Sequence, residues 1–230
     1  MASAFLCLLL RLAPVVQGYD TITIPADRDT FCSGSAPDSN FGTWTSWQFG
    51  LNAANIRTEI ALVHFDLSLI PQGRVIQEAR LRLFCGDVYY NDMSTAFCFM
   101  SSGGWSETTA TWNSMPGVIA TPYSSFDPQG GWNEIGVSTI VKEWYAGHQN
   151  NYGFQLRSQT YGGPSTALFR SREYSGTTYD PKLEVDIITP TNEIVINNNV
   201  WLNGSQQNRI ALGPGASVNG SFDCTVYNGR

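Results

Sequence analysis

Short apolar alternations, each closed off by turn residues, recur from Thr21 to Ile188 and constrain this chain more than any other feature. They fall in residues 21–24, 45–49, 58–65, 79–84, 96–100, 154–157, 167–170 and 183–187. In Arg80-Leu-Arg-Leu83 the arginines alternate with leucines, the two-residue period of a strand with one wet face. One interval departs from this rule. Val137, Ile140, Val141, Trp144 and Tyr145 have the spacing that lines one helix face, and Gly147 is placed to stop it. Many short strands with a single short helix predict an all-β sandwich or jelly roll rather than alternating βα units.

The chain has 230 residues, enough for one main body and a small appendage. Glycine, serine, threonine and asparagine are plentiful and lysine occurs only at 142 and 182, the balance of a secreted or surface β-protein. A net charge of −6 with scattered arginines points away from nucleic acid, whose phosphates select clustered cations.

Residues 1–10 are nearly all apolar, and Val16-Gln-Gly18 offers a cleavage point before Tyr19, so residues 1–18 are expected to be a signal peptide. A retained apolar strand is the alternative. The segment is too short and too interrupted to span a bilayer. Of the five cysteines, cleavage removes Cys7 and leaves Cys32, Cys85, Cys98 and Cys224, an even set that suggests disulfides. Cys85 and Cys98 flank the turn signal Asn91-Asp92, so a hairpin there predicts a Cys85–Cys98 bridge and leaves Cys32 to pair with Cys224. Four cysteines allow three pairings, and buried free thiols are the alternative to all of them.

Trp105-Ser-Glu-Thr-Thr-Ala-Thr-Trp-Asn113 carries two large aromatics with no basic or thiol group, and its threonines favour an extended wall. The block belongs to an ordered series. Asn40-Phe-Gly42, Leu62-Val-His-Phe-Asp-Leu-Ser68, Ala79-Arg-Leu-Arg-Leu83, Gly131-Trp132, Asn151-Tyr-Gly-Phe-Gln-Leu-Arg157, Ser171-Arg-Glu173 and Pro181-Lys-Leu-Glu-Val185 complete it. Over about residues 20–188 this series resembles the DNRLRE-domain family, which is related to carbohydrate-binding module family 96. The resemblance implies a non-catalytic jelly-roll β-sandwich, extracellular or at a cell surface, with polysaccharide as a partner of some members. The body is accordingly placed at residues 19–188.

Trp44 stands in a turn-rich, polar setting, where a flat aromatic face suits the apolar face of a pyranose. It is the first candidate for carbohydrate, with Tyr89 and Tyr90 extending the platform; ordinary surface packing is the alternative. Trp47, Trp105, Trp112, Trp132 and Trp144 read as core. Asp27, Asp29 and Asp38 are candidates for a structural calcium ion, against the plainer reading of solvated loop acids. No other cofactor is expected. His64 and His148 have no motif partner, and no nucleophile elbow, phosphate loop or paired-histidine motif occurs. Glu107, Glu134, Glu143 and Glu173 are the acids from which a glycosidase pair would be drawn. Arg172 beside Glu173 favours an ion-pair network instead, and no enzyme is expected.

From Thr189 onward the chain changes character. Residues 194–196, 200–202, 210–212 and 217–226 are short apolar rungs between Asn-Gly and Gly-Pro-Gly turns, expected to form a small stack of short strands. Residues 210–222 resemble the coat-hanger stack tails of Bacteroidota surface proteins, which implies attachment or assembly. Asn203-Gly-Ser205 and Asn219-Gly-Ser221 fit the glycosylation sequon but read as turns. Two functions follow: an extracellular polysaccharide-binding module, or a structural subunit of a surface filament, layer or adhesin that self-assembles by strand addition.

Overall fold

Arg80-Leu-Arg-Leu83 alternates in space as in sequence, with Leu81 and Leu83 fully buried and both arginines partly exposed in strand β4 (Val75–Tyr89). The computed structural model describes residues 19–51, 57–89, 95–158, 165–188, 192–202 and 205–212. Of these, Tyr19–Ile188 form one unit and the rest belong to a second.

In the first unit, β1 (Asp20–Ser33), β2 (Ser46–Leu51), β3 (Arg57–Phe65), β5 (Ala96–Ser101), β6 (Val118–Phe126), β7 (Gly131–Gly136), β8 (Phe154–Ser158), β9 (Ser165–Arg170) and β10 (Lys182–Ile188) join β4. They pair in the order β1-β10-β4-β9-β2-β3-β8-β5-β6, with β7 on β4. β1 holds two neighbours in succession: Asp20 to Pro25 pair with β10, and Ala26 to Ser33 pair with β3, with a register shift between Ala26 and Arg28. That double pairing closes β1, β10, β4, β9, β2 and β3 into a six-strand ring, to which β8, β5 and β6 are added. The all-β class with one short helix is therefore present, and closure of the ring is a feature the strand pattern did not announce.

Trp47, Phe49 and Phe169 stack at the centre, with Trp47 5.0 Å and Phe49 5.6 Å from Phe169 between ring centroids. Helix α1 (Ser138–Tyr145) buries Ile140, Val141 and Trp144, the stripe expected from their spacing, and Gly147 follows at φ +73°. Among the described residues no helix is long and apolar enough to cross a membrane.

Residues 105–113 do not form an extended wall. Ala110 N donates to Ser106 O at 2.9 Å and Met115 N to Thr111 O at 2.8 Å, so the segment coils in turns. It lies over the second face of β1 and β3, where Trp105, Trp112 and Met115 cover Cys32, Leu62 and Ala110. Residues Ile60 to Phe65 are all buried, Leu62 under this cover, so the strand lacks the wet face that strict alternation would leave.

The expected Cys85–Cys98 bridge is absent, because β4 and β5 are not neighbours: Cys85 sits opposite Gly131 and Phe169, Cys98 opposite Leu156 and Ser124. Cys32, Cys85 and Cys98 are free buried thiols, and the Cys32–Cys224 pairing falls on Cys224, which lies outside the described residues. Burial pushes the Cys32 thiol up to about 12 and the Cys85 thiol up to about 11.

In the second unit, β11 (Asn192–Leu202) and β12 (Ser205–Leu212) form an antiparallel pair, so residues 194–196 and 200–202 share one strand instead of making separate rungs. Residues 1–18 and 213–230, including Asn219, lie outside the described residues, as do the side chains of β11 and β12.

Candidate functional site

The segment between β1 and β2 is clasped to the coil at 105–113. Asn40 Nδ2 donates to Glu107 O and Ala110 O, each at 2.8 Å, while its Oδ1 accepts from Gly42 N at 3.2 Å. A Cβ at Gly42 would stand 2.0 Å from Glu107 O, so only glycine permits this approach.

Trp44 is set by that clasp. Phe41 stacks on Phe31 at 4.3 Å, and the Trp44 ring meets Phe31 and Phe41 edge-on at 5.7 and 5.1 Å. Its backbone N donates to Phe41 O at 3.1 Å and its carbonyl accepts from Ser171 Oγ at 2.6 Å. Even so, Trp44 is 55% exposed. The side chains of Tyr89 and Tyr90 lie outside the described residues.

The other tryptophans divide. Trp47 and Trp144 are buried, and Trp105 and Trp112 cover the second apolar cluster. Trp132, expected in the core, is 37% exposed: it meets Phe84 edge-on at 5.5 Å, with Arg82 and Lys182 over its ring at 5.6 and 4.9 Å. A further aromatic group was missed, formed by Phe97, Phe99 and Tyr123, whose centroids lie 5.4–5.8 Å apart. Its signal was the alternation itself, since Phe97 and Phe99 interleave with buried Ala96, Cys98 and Met100.

The three aspartates proposed for calcium are bound to separate partners. Asp27 meets His64 Nδ1 at 2.5 Å and Arg28 at 3.6 Å, and Asp38 accepts from Asn113 Nδ2 at 2.8 Å. Asp29 alone enters an acidic cluster, with Glu107 and Glu173, in which one oxygen from each carboxylate lies within 4.8 Å of the others. Its amide donates to Glu107 Oε1 at 2.9 Å, and its Oδ2 accepts from Arg172 N at 3.0 Å. Arg172 Nη1 reaches both Glu107 oxygens at 3.1 Å and Glu173 at 3.8 Å, which is the ion-pair network expected of it. Asp29 Oδ1 and Glu173 Oε2 are buried without a partner.

Burial, with the adjoining Glu173 and Glu107 carboxylates, holds Asp29 well above the usual carboxylate range, against the opposing pull of the Arg172 amide. Burial and Glu107 raise Glu173 as well. The remaining acids of the suggested glycosidase set stand elsewhere, Glu134 3.2 Å from Arg82 and Glu143 3.3 Å from His148.

The model of the family described as carbohydrate-binding module family 96 matches residues 20–187. No curated protein matches the chain.

Proposed function

The chain belongs to carbohydrate-binding module family 96, and on that premise we propose that it binds polysaccharide outside the cell through Trp44, without turning its ligand over. The observation that carries this reading is a tryptophan 55% exposed yet held by two rings and by hydrogen bonds on both sides of its backbone. A ring fixed before binding loses little conformational freedom when a sugar stacks on it, so more of the contact energy appears as affinity.

The jelly-roll β-sandwich is part of the same proposal. A strand that changes partner from β10 to β3 at Ala26, with a register shift just beyond, is how one sheet of a sandwich hands its chain to the other. Assembly by strand addition has weaker support: β6 ends the pairing path and carries Pro122, which cannot donate to an added strand.

The test is a glycan array and affinity electrophoresis on the full chain, with Trp44→Ala beside Trp132→Ala. Trp44→Ala is expected to weaken glycan binding about tenfold with an unchanged circular dichroism spectrum. Undiminished binding by a folded Trp44→Ala protein removes Trp44 from the site, and loss on Trp132→Ala alone moves the site to the β4–β7 face.

A further inference from the structure

Strand geometry explains why Asp29 is buried but not why it is an acid. An asparagine would accept the Arg172 amide equally well, and buried polar atoms are normally satisfied. Here two carboxylate oxygens, Asp29 Oδ1 and Glu173 Oε2, are buried and unpartnered, and Asp29 itself is 1% exposed. Three carboxylates cluster beside one guanidinium, which pairs with Glu107 and Glu173 while Asp29 bonds only the Arg172 backbone amide, a formal excess of two negative charges in a setting where unpaired charge is costly.

One divalent cation cancels that excess. The mutual spacing within 4.8 Å fits the span of two opposed calcium–oxygen bonds of about 2.4 Å each. Oxygen-only donors select a hard ion over zinc or copper. We propose that Asp29, Glu107 and Glu173 bind one calcium ion, Asp29 through Oδ1 and Glu173 through Oε2. The ion ties β1 to the coil at 105–113 and to the segment after β9. Both of those are bonded to the Trp44 loop, the first through Asn40 and the second through Ser171. Its role is to brace that loop, whether or not a glycan is present.

The experiment uses the full chain after exhaustive chelation, titrated with CaCl2 and, in parallel, MgCl2 by isothermal calorimetry, with thermal unfolding at each calcium concentration. Uptake of one calcium per chain is expected, with a Tm that rises with free calcium and magnesium binding at least about tenfold weaker. Glu173→Gln and Asp29→Asn keep the side-chain shapes and are each expected to weaken calcium binding at least about tenfold while retaining the circular dichroism spectrum.

Absence of calcium heat and of a Tm response in the parent overturns the proposal, as does undiminished binding by both variants. Equal affinity for magnesium overturns the choice of calcium. A parent insensitive to calcium, with Asp29→Asn more stable than it, assigns the cluster to a shared proton instead. No sugar enters these measurements, so their failure is distinct from failure of the Trp44 site.

Discussion

Two charged clusters in the same unit carry the same formal excess and meet different fates. On the β4 face, Arg80 and Arg82 serve Glu78, Glu134, Glu184 and Asp186, four acids to two bases. Under the Trp44 loop, among the described residues, Arg172 is the one base paired with the cluster of Asp29, Glu107 and Glu173, reaching the two glutamates with its guanidinium and Asp29 with its amide. Each sums to −2. On the outer face the Glu78 and Glu134 side chains are 57% and 53% exposed, so water screens the surplus, whereas Asp29 is 1% exposed. Access of solvent, more than the count of partners, decides whether extra charge is tolerated.

The largest expected difference comes from removing one cation from each cluster. With chelator present, Arg172→Ala is expected to cost about 2 kcal/mol in urea unfolding, because it leaves the inner acids uncompensated. Arg82→Ala, beside exposed acids, is expected to cost under about 1 kcal/mol. Equal losses would break the comparison.

A smaller effect sharpens it on the outer face. The Arg80 hydrogen bond, aided by Thr21, holds the Asp186 carboxyl below its ordinary range despite burial. A lowered folded value means the stabilisation is present above the unfolded aspartate value of about 3.9 and is lost as pH falls through the folded one. Asp186→Asn is therefore expected to cost about 1 kcal/mol at neutral pH and to converge on the parent in strong acid. A difference that persists at low pH would deny the linkage.

The smallest effect concerns buried groups that stay neutral. Cys32, Cys85 and Cys98 are expected to resist alkylation in the native chain, to react after unfolding without reductant, and to leave Tm unchanged when reductant is added. A Tm that falls on reduction would restore a disulfide.

Strands with a strict two-residue period, such as residues 80–83, and the helix stripe ending at Gly147 were legible because local patterning alone dictates them. Strands β6 and β7 were not anticipated; Val118–Phe126 holds Pro122 and several polar residues, so no apolar alternation marks it. The Trp105 block misled because threonine propensity is weak beside its tertiary role as a cover for β1 and β3. The exposure of Trp44 was legible from its polar setting, whereas the acidic cluster joins residues 29, 107 and 173, brought together only by long-range pairing. The bridge failed for the same reason, since a turn signal between two cysteines does not make their strands neighbours.

Asp20, at the start of β1, lies opposite Ile187, near the end of β10. Adjacent strands run about 5 Å apart, so a polypeptide that threads this unit departs beside its point of entry. Tension applied through the two connections would peel β1 from β10 rung by rung, instead of loading the whole ladder at once.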